Sequence, residues 1–311
     1  KADGTKHEPK IFELDVKPEE VRQTVMDIRS QIKLLVHSSP HVSMDELQEV
    51  SMDSFDKLGR KIFPPELQSD LEGIEGIYLV PFESLHYLPL HAMPFGDGCL
   101  LDCMVVAYLP SASLLPYMSK EGTMNPKKQN FLGVGVDIFA RDGAFPREIS
   151  SILGKDILPS EDCLSLKNEK ATKSRILDNL PNYRMVHFST HGYFDEMDPL
   201  ESGLLLYSEQ EDFELSDLKY TDSLLSAYDF KEQQLEADLI VLSGCVSGQS
   251  ENYAGDELMG LSRALLFAGA KSMGLSLFAT FKAVTIHPET HFGHFYQYLI
   301  EDEMSDRKSV V

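Results

Sequence analysis

Two short stretches of the chain end an apolar run at a residue that can do covalent chemistry. The first, FSTHGYFDE at residues 188–196, runs into the pair His191 and Gly192. The second, ADLIVLSGCVSGQ at residues 237–249, ends at Cys245, 54 residues after His191. In open α/β sheets, ligands bind beyond the carboxyl ends of the strands. If these two strands are parallel neighbours, the imidazole and the thiol therefore lie at the same edge of one sheet.

A histidine and a cysteine at such an edge can carry out acyl transfer. The thiolate is the nucleophile, and a nearby imidazole can take the thiol proton and later protonate the departing amine. The backbone N–H groups of Gly192 and Cys245 could together hold the oxyanion of a tetrahedral intermediate. The two stretches thus predict a thiol-dependent site in which His191 is the base and Cys245 is the nucleophile.

Each of these residues also has a plainer explanation. A single cysteine after a strand is most often a small buried apolar side chain, and a single histidine in a loop is usually solvated. His187 and His191 have the four-residue spacing of a zinc pair, but along a strand they lie about 13 Å apart, so no metal site is predicted. The stretch LGVGVD at residues 132–137 lacks the third glycine of a dinucleotide-binding loop. We interpret it as the end of a strand, and no cofactor is predicted.

Composition limits the class of protein. The chain has 311 residues, of which 42% are hydrophobic and 25% are charged, as in a globular protein. Its net charge of −22 argues against direct binding to nucleic acid or to an anionic membrane, because the long-range field repels both. Four cysteines without a CxxC pair indicate a reducing, cytoplasmic compartment. Because the first residue is a lysine, we expect the chain to be part of a longer protein.

The first part of the chain is predicted to be helical. Apolar residues recur at helical spacing between Pro18 and Val36. The stretch SMDE at residues 43–46 has the pattern of a capping box, and it precedes a second helical stretch whose apolar face extends to Ile62. We therefore predict an N-terminal helical segment at residues 1–70.

The rest of the chain is predicted to be one α/β domain at residues 71–311. Six short apolar runs are predicted as buried strands, at residues 76–81, 104–110, 130–136, 184–189, 238–243 and 271–278. Helical stretches at residues 172–180 and 256–268 fall between some of them. This alternation favours an α/β fold with a largely parallel sheet flanked by helices.

Eight stretches of the chain, taken in order, resemble one known family. They occur between about residues 75 and 300 and are LVPFESLHYLPLHAMPF, AYLPSASLL, NEKATKSRIL, YRMVHFSTHGYF, GLLLY, LLSAYDF, ADLIVLSGCVSGQ and GDELMGLSRALLFAGAKSMGLSLF. Together they resemble a CHAT domain, a caspase-like cysteine peptidase domain usually found with tetratricopeptide repeats. The resemblance implies a caspase-like three-layer fold in which His191 is the general base and Cys245 the nucleophile. It also implies that the amides of Gly192 and Cys245 bind the oxyanion.

The chain departs from that family in three places. The stretch SLFATFKAVT replaces a strand that commonly ends in Trp, Val and acidic residues, and the chain contains no Trp. Ser243 stands where caspases carry the Gln of their aspartate-reading pocket, so aspartate specificity is not implied. The stretch EDFELSDLKYTDS at residues 211–223 is longer and more acidic than the family pattern. It is interpreted either as a solvated loop or as a gating or partner-sensing loop.

The resemblance predicts a cysteine endopeptidase, with two alternatives. One is a catalytically silent interaction module on the same fold, and the other is a thiol-dependent hydrolase of acyl groups other than peptides. As partners we expect a protein substrate and a regulatory protein or ribonucleoprotein, bound through an adjoining repeat region. The family alone suggests a bacterial defence system, such as a CRISPR effector, as the setting.

The residue before the scissile bond is predicted to be uncharged and apolar, such as Leu or Met. The wall expected beside Cys245 is apolar at residues 277–281, which include Phe278, and it ends at Lys282. A pocket for Arg or Lys needs a buried carboxylate. Asp256 could supply one, but the stretch GDEL fits equally well as the start of a helix, where an acid interacts favourably with the helix dipole.

Overall fold

The computed structural model describes residues 9–38, 52–117, 130–138, 143–154, 158, 162–193, 195, 198, 200–207, 221–244, 254–275 and 291–301. The strands in these ranges are β1 Gly76–Leu79, β2 Pro94–Phe95, β3 Gly98–Cys99, β4 Val105–Tyr108, β5 Phe131–Gly135, β6 Cys163–Lys167, β7 Met185–Ser189, β8 Gly192–Tyr193, β9 Gly203–Leu205, β10 Leu224–Ser226, β11 Leu239–Ser243 and β12 Met273–Leu275. The α-helices are α1 Pro18–Ser38, α2 Asp53–Ile62, α3 Pro65–Asp70, α4 Leu100–Cys103, α5 Ala144–Leu153, α6 Lys173–Asn179, α7 Ala227–Lys231, α8 Ala254–Ala268 and α9 His291–Glu301. None of the described helices combines the length and the apolar character needed to cross a membrane.

The centre of the molecule is a five-stranded sheet whose strands are all parallel, in the order β12, β11, β7, β5, β6. Side chains such as Leu132 and Val186 on one face pack with α6, α7 and α8. Side chains such as Phe131 and Met185 on the other face pack with α5 and α9. Because helices cover both faces, the inner strands are continuous apolar runs. The predicted α/β three-layer architecture is confirmed, and it is consistent with a caspase-like fold.

All six predicted strand regions contain a strand, but they do not all lie in one sheet. β5, β7, β11 and β12 belong to the central sheet, whereas β1 and β4 form a separate two-stranded parallel sheet. The edge strand β6 was not predicted. Its sequence, CLSLK, alternates apolar and polar residues, and Leu166 is its one fully buried side chain. A short edge strand of this kind lacks the apolar run that identifies its neighbours.

A small antiparallel sheet follows directly on the end of β7. Its strands β8, β9 and β10 are arranged in the order β10, β9, β8, with Gly192 opposite Leu204. The N–H of Leu205 donates a hydrogen bond of 2.8 Å to the carbonyl oxygen of His191. This small sheet therefore holds the backbone at the point where β7 leaves the central sheet.

The N-terminal helices share an apolar cluster with the segment that follows them. Val21 and Val25 of α1 and Phe55 and Leu58 of α2 are buried there, as their helical spacing predicts. The same cluster includes residues beyond 70, such as Met93. The capping box at residues 43–46 lies outside the described residues, and α2 begins at Asp53. The domain boundary at residue 70 stays a prediction.

Candidate active site

β7 and β11, the strands that precede the two predicted catalytic residues, are parallel neighbours. Ser189, the last residue of β7, pairs with Ser243, the last residue of β11. His191 and Cys245 each follow two residues after this pair in the sequence. The condition under which the imidazole and the thiol share one edge, that the two strands are adjacent and parallel, is therefore met. Cys245 itself lies outside the described residues.

The chain next to position 245 is held close to the end of β7. The N–H of Thr190 donates a hydrogen bond of 3.2 Å to the carbonyl oxygen of Ser243. A Cβ atom on Gly244 would overlap the carbonyl oxygen of Thr190. Glycine at residue 244 therefore lets β11 follow β7 for one residue beyond the last strand pair.

A third chemical group lies at the same edge, at the end of β5. Gly135 pairs with Ser189, so Asp137 stands the same number of residues beyond its strand as His191 does. Oδ1 of Asp137 lies 3.8 Å from Nε2 of His191, and the Asp137 side chain is only 7% exposed. LGVGVD contains the end of β5, as its sequence predicts, but that pattern assigns no role to Asp137. The matched position of Asp137 after β5 could have identified it.

The imidazole of His191 is bounded by an aromatic ring as well as by the carboxylate. The ring of Phe145, in the first turn of α5, meets it edge to face, with 4.7 Å between the centroids and 89° between the planes. The His191 side chain is 17% exposed. Contacts with Asp137 and Phe145 on separate elements limit the orientations that the imidazole can adopt.

The other predicted site residues are only partly described. Gly192 is the first residue of β8 and is half-buried. Ser243 is buried, and its hydroxyl has no hydrogen-bond partner in the described structure. Residue 256 lies in the first turn of α8, but its side chain lies outside the described residues, and Phe278 lies outside them altogether. The oxyanion and pocket assignments therefore remain predictions.

His187 faces the interior instead of the site. Its side chain is fully buried, with Nε2 at 2.8 Å from Oε1 of Glu148 and Nδ1 at 3.1 Å from the phenol oxygen of Tyr296. Within the described ranges, no group of three or more His, Cys, Asp or Glu side chains is arranged to hold a metal ion. The contacts of His187 with Glu148 and Tyr296 therefore belong to the buried core of the domain.

The three described cysteines lie on elements other than the β7–β8 segment that carries His191. Cys99 and Cys103 belong to β3 and α4 in the N-terminal part of the chain. Cys163 begins β6, at the amino end of the sheet. Burial raises the pKa of Cys163 to about 11, which keeps its thiol protonated at neutral pH. Cys163 lies at the end of the sheet opposite to His191.

Comparison with known proteins identifies the family. No curated protein matches the chain. The model of the CHAT domain family matches residues 53–308, which is well over half of the 311 residues. The match includes α2, the central sheet and the edge at which His191 lies. The chain therefore belongs to the CHAT domain family, a caspase-like family related to peptidases.

Proposed function

We propose that the chain is a cysteine endopeptidase in which His191 and Cys245 form the catalytic dyad. The observation that carries the proposal is the parallel pairing of Ser189 with Ser243. His191 and Cys245 each come two residues after this pair in the sequence, and α/β sheets bind their ligands beyond the carboxyl ends of such strands. Family membership supports the same chemistry.

The reaction proceeds in two steps. In the first, His191 takes the proton from the Cys245 thiol, the sulfur adds to the carbonyl carbon of the substrate, and the amides of Gly192 and Cys245 hold the oxyanion. The C–N bond then breaks, and the imidazolium of His191 protonates the leaving amine. In the second step, a water molecule gives a proton to His191 and attacks the thioester, which releases the acid and restores the thiol.

For the substrate, we propose an uncharged apolar residue before the scissile bond. The support is the apolar character of residues 277–281, including Phe278, together with Ser243 in place of a charged or amide side chain. Asp256 is the alternative specificity residue, and it would select Arg or Lys. Cleavage of a peptide library distinguishes the two: dominant cleavage after Arg or Lys that disappears in Asp256→Asn would overturn the apolar assignment.

Control of the peptidase is proposed to come from a partner. A helical-repeat region and a bound regulatory protein or ribonucleoprotein are what the family resemblance suggests. Residues of α1 and α2 pack in one apolar cluster with later residues such as Met93. A repeat region that precedes α1 would therefore be connected to the rest of the chain through this cluster. Activity that rises at least tenfold with the partner would support this proposal.

The test of the dyad uses a peptide probe with an acyloxymethyl ketone group. We expect the probe to label the wild type and Cys103→Ala, whose missing thiol is exposed and belongs to α4, but not Cys245→Ala. Labelling of Cys245→Ala at the wild-type rate would refute the proposed site. A wild type that no probe labels while folded, although its thiols react after denaturation, would favour the silent interaction module.

A further inference from the structure

The carboxylate of Asp137 lies close to Nε2 of His191. We propose that Asp137 is a positioning residue, which holds His191 with the proton on Nε2 and leaves Nδ1 to accept the thiol proton of Cys245. The proposal rests on the proposed function of this dyad. Its first support is the distance of 3.8 Å between Nε2 and Oδ1 of Asp137. Catalytic contacts of this length in a free enzyme commonly shorten when substrate binds.

The backbone of Asp137 is held in place from β6 and the turn that follows it. Its N–H donates a hydrogen bond of 3.3 Å to Oδ1 of Asn168, and both side chains are buried. Asn168 has a φ of 44°, in the left-handed region that residues other than glycine seldom adopt. Asparagine tolerates that region better than most residues, and here its side chain turns inward to hold the strand end. The hydrogen bond that holds Asp137 thus depends on an unfavourable backbone conformation at Asn168, and such conformations are frequent at functional sites.

The carboxylate of Asp137 also lies at the start of α5. Gly143 is the residue that precedes this ten-residue helix, and a Cβ atom there would overlap Oδ2 of Asp137. A carboxylate is stabilised at a helix N-terminus by the free N–H groups and the helix dipole. The second residue of the same helix, Phe145, contacts the His191 ring. One helix start therefore fixes both the acid and the aromatic contact of the imidazole.

This arrangement assigns a separate task to each nitrogen of His191. With Nε2–H directed at Asp137, the lone pair on Nδ1 receives the proton when the S–H bond of Cys245 breaks. The resulting imidazolium is stabilised by the neighbouring carboxylate, and Nδ1 then gives its proton to the leaving amine. Asp137 takes up no proton at any step, so it acts only through His191.

The tautomer of His191 provides a test that does not depend on peptidase activity. Long-range proton–nitrogen NMR of the full chain labelled with ¹⁵N-histidine, assigned with His191→Gln, shows which ring nitrogen carries the proton. We expect wild-type His191 to hold its proton on Nε2, and Asp137→Ala to gain a measurable share of the Nδ1–H form. A proton on Nδ1 in the wild type, or the same tautomer ratio in both proteins, would overturn the proposal.

Kinetics supply the second measurement. In peptide cleavage we expect Asp137→Ala to lower kcat by about 100-fold while KM stays within about threefold, because a misplaced base slows the chemical step. Asp137→Glu should recover part of that loss, and Asp178→Asn, at an exposed position on α6, should change nothing. Equal losses in kcat for Asp137→Ala and Asp137→Glu with an unchanged tautomer would reduce Asp137 to a structural role.

A second variant covers the case in which Asp137→Ala does not fold. Gly143→Ala keeps the carboxylate but displaces it, and the φ of −68° at residue 143 suits alanine. We expect it to shift the His191 tautomer in the same direction. If Cys245→Ala retains cleavage, the proposed dyad is wrong, whereas the tautomer measurement still decides whether Asp137 orients His191.

Discussion

A hydrogen bond of 3.1 Å joins Nδ1 of His187 to the phenol oxygen of Tyr296, and both side chains are fully buried. The residues are 109 positions apart, so the bond connects the middle strand of the sheet to α9. Burial, and then the charge of Glu148, raises the pKa of Tyr296 well above its usual value. The phenol therefore stays protonated, and the His187 ring lies between it and Oε1 of Glu148.

Tyr296→Phe should lower the free energy of unfolding by about 1–3 kcal/mol. The substitution removes the phenol oxygen and leaves Nδ1 of His187 buried without this hydrogen bond, and an unsatisfied buried polar group costs about that much. Urea denaturation measures the change. The matched control is Tyr228→Phe, whose side chain is half-exposed and should cost less than about 0.5 kcal/mol. Equal costs for the two variants would contradict the importance of this hydrogen bond.

Asp238 is expected to stabilise the amino end of the sheet. Its carboxylate is 7% exposed and lies 3.2 Å from Nε of Arg184 and 2.6 Å from Nζ of Lys271. Asp238→Asn should cost about 1–2 kcal/mol, less than a fully buried pair would, because both cations are partly exposed and can be hydrated.

The control for that prediction contacts the same arginine. Glu236 lies 3.1 Å from Arg184 but is 80% exposed, so Glu236→Gln should change stability by less than about 0.5 kcal/mol. Thermal and urea unfolding of both variants decide the matter. A larger cost for Glu236→Gln than for Asp238→Asn would show that burial does not set the strength of this ion pair.

His91 should make stability depend on pH. Burial lowers its pKa, and its Nδ1 lies 2.9 Å from the phenol oxygen of Tyr108, whose own pKa burial raises to about 12. In the unfolded chain, His91 binds a proton near the ordinary histidine pKa of about 6.5. In the folded chain it binds a proton only at lower pH. Neutral His91 therefore contributes to the free energy of unfolding above the pKa of the unfolded state, and this contribution is lost as the pH falls through the pKa of the folded state.

The measurement compares the wild type with His91→Gln, which does not titrate there. Between about pH 7.5 and pH 5.5 the urea midpoint of the wild type should fall further than that of the variant, because only the wild type carries this linkage. Parallel pH curves for the two proteins would show that His91 makes no contribution of this sign.

The strands that carry the candidate site could be predicted because they are buried and therefore consist mostly of apolar residues. Helices cover β7 and β11 on both faces, so each strand is a short apolar run that the sequence pattern identifies. Their pairing is a long-range property, which the matched motifs only suggested. Asp137 was missed because its role depends on the register of β5 against β7, and no local pattern records that register.

The glycine before the proposed nucleophile provides the last prediction. The φ of Gly244 lies outside the left-handed region, so alanine can adopt its backbone conformation. The obstacle is the carbonyl oxygen of Thr190, a backbone atom that cannot rotate away from a new methyl group. In Gly244→Ala the ends of β7 and β11 must separate, which changes the spacing between His191 and residue 245.

We expect Gly244→Ala to lose about 1–3 kcal/mol of stability, as overpacked sites do, and to lower the rate of probe labelling by at least about tenfold at a temperature where the variant is folded. Gly274→Ala is the matched control. It lies on β12, which pairs with the other side of β11, and its Cβ would lie 3.5 Å from Cγ2 of Val241, an ordinary contact. It should therefore leave labelling unchanged. If Gly244→Ala is labelled as fast as Gly274→Ala, close contact between the two strand ends is not needed for the reaction, and the matched positions of His191 and Cys245 lose their support as a catalytic arrangement.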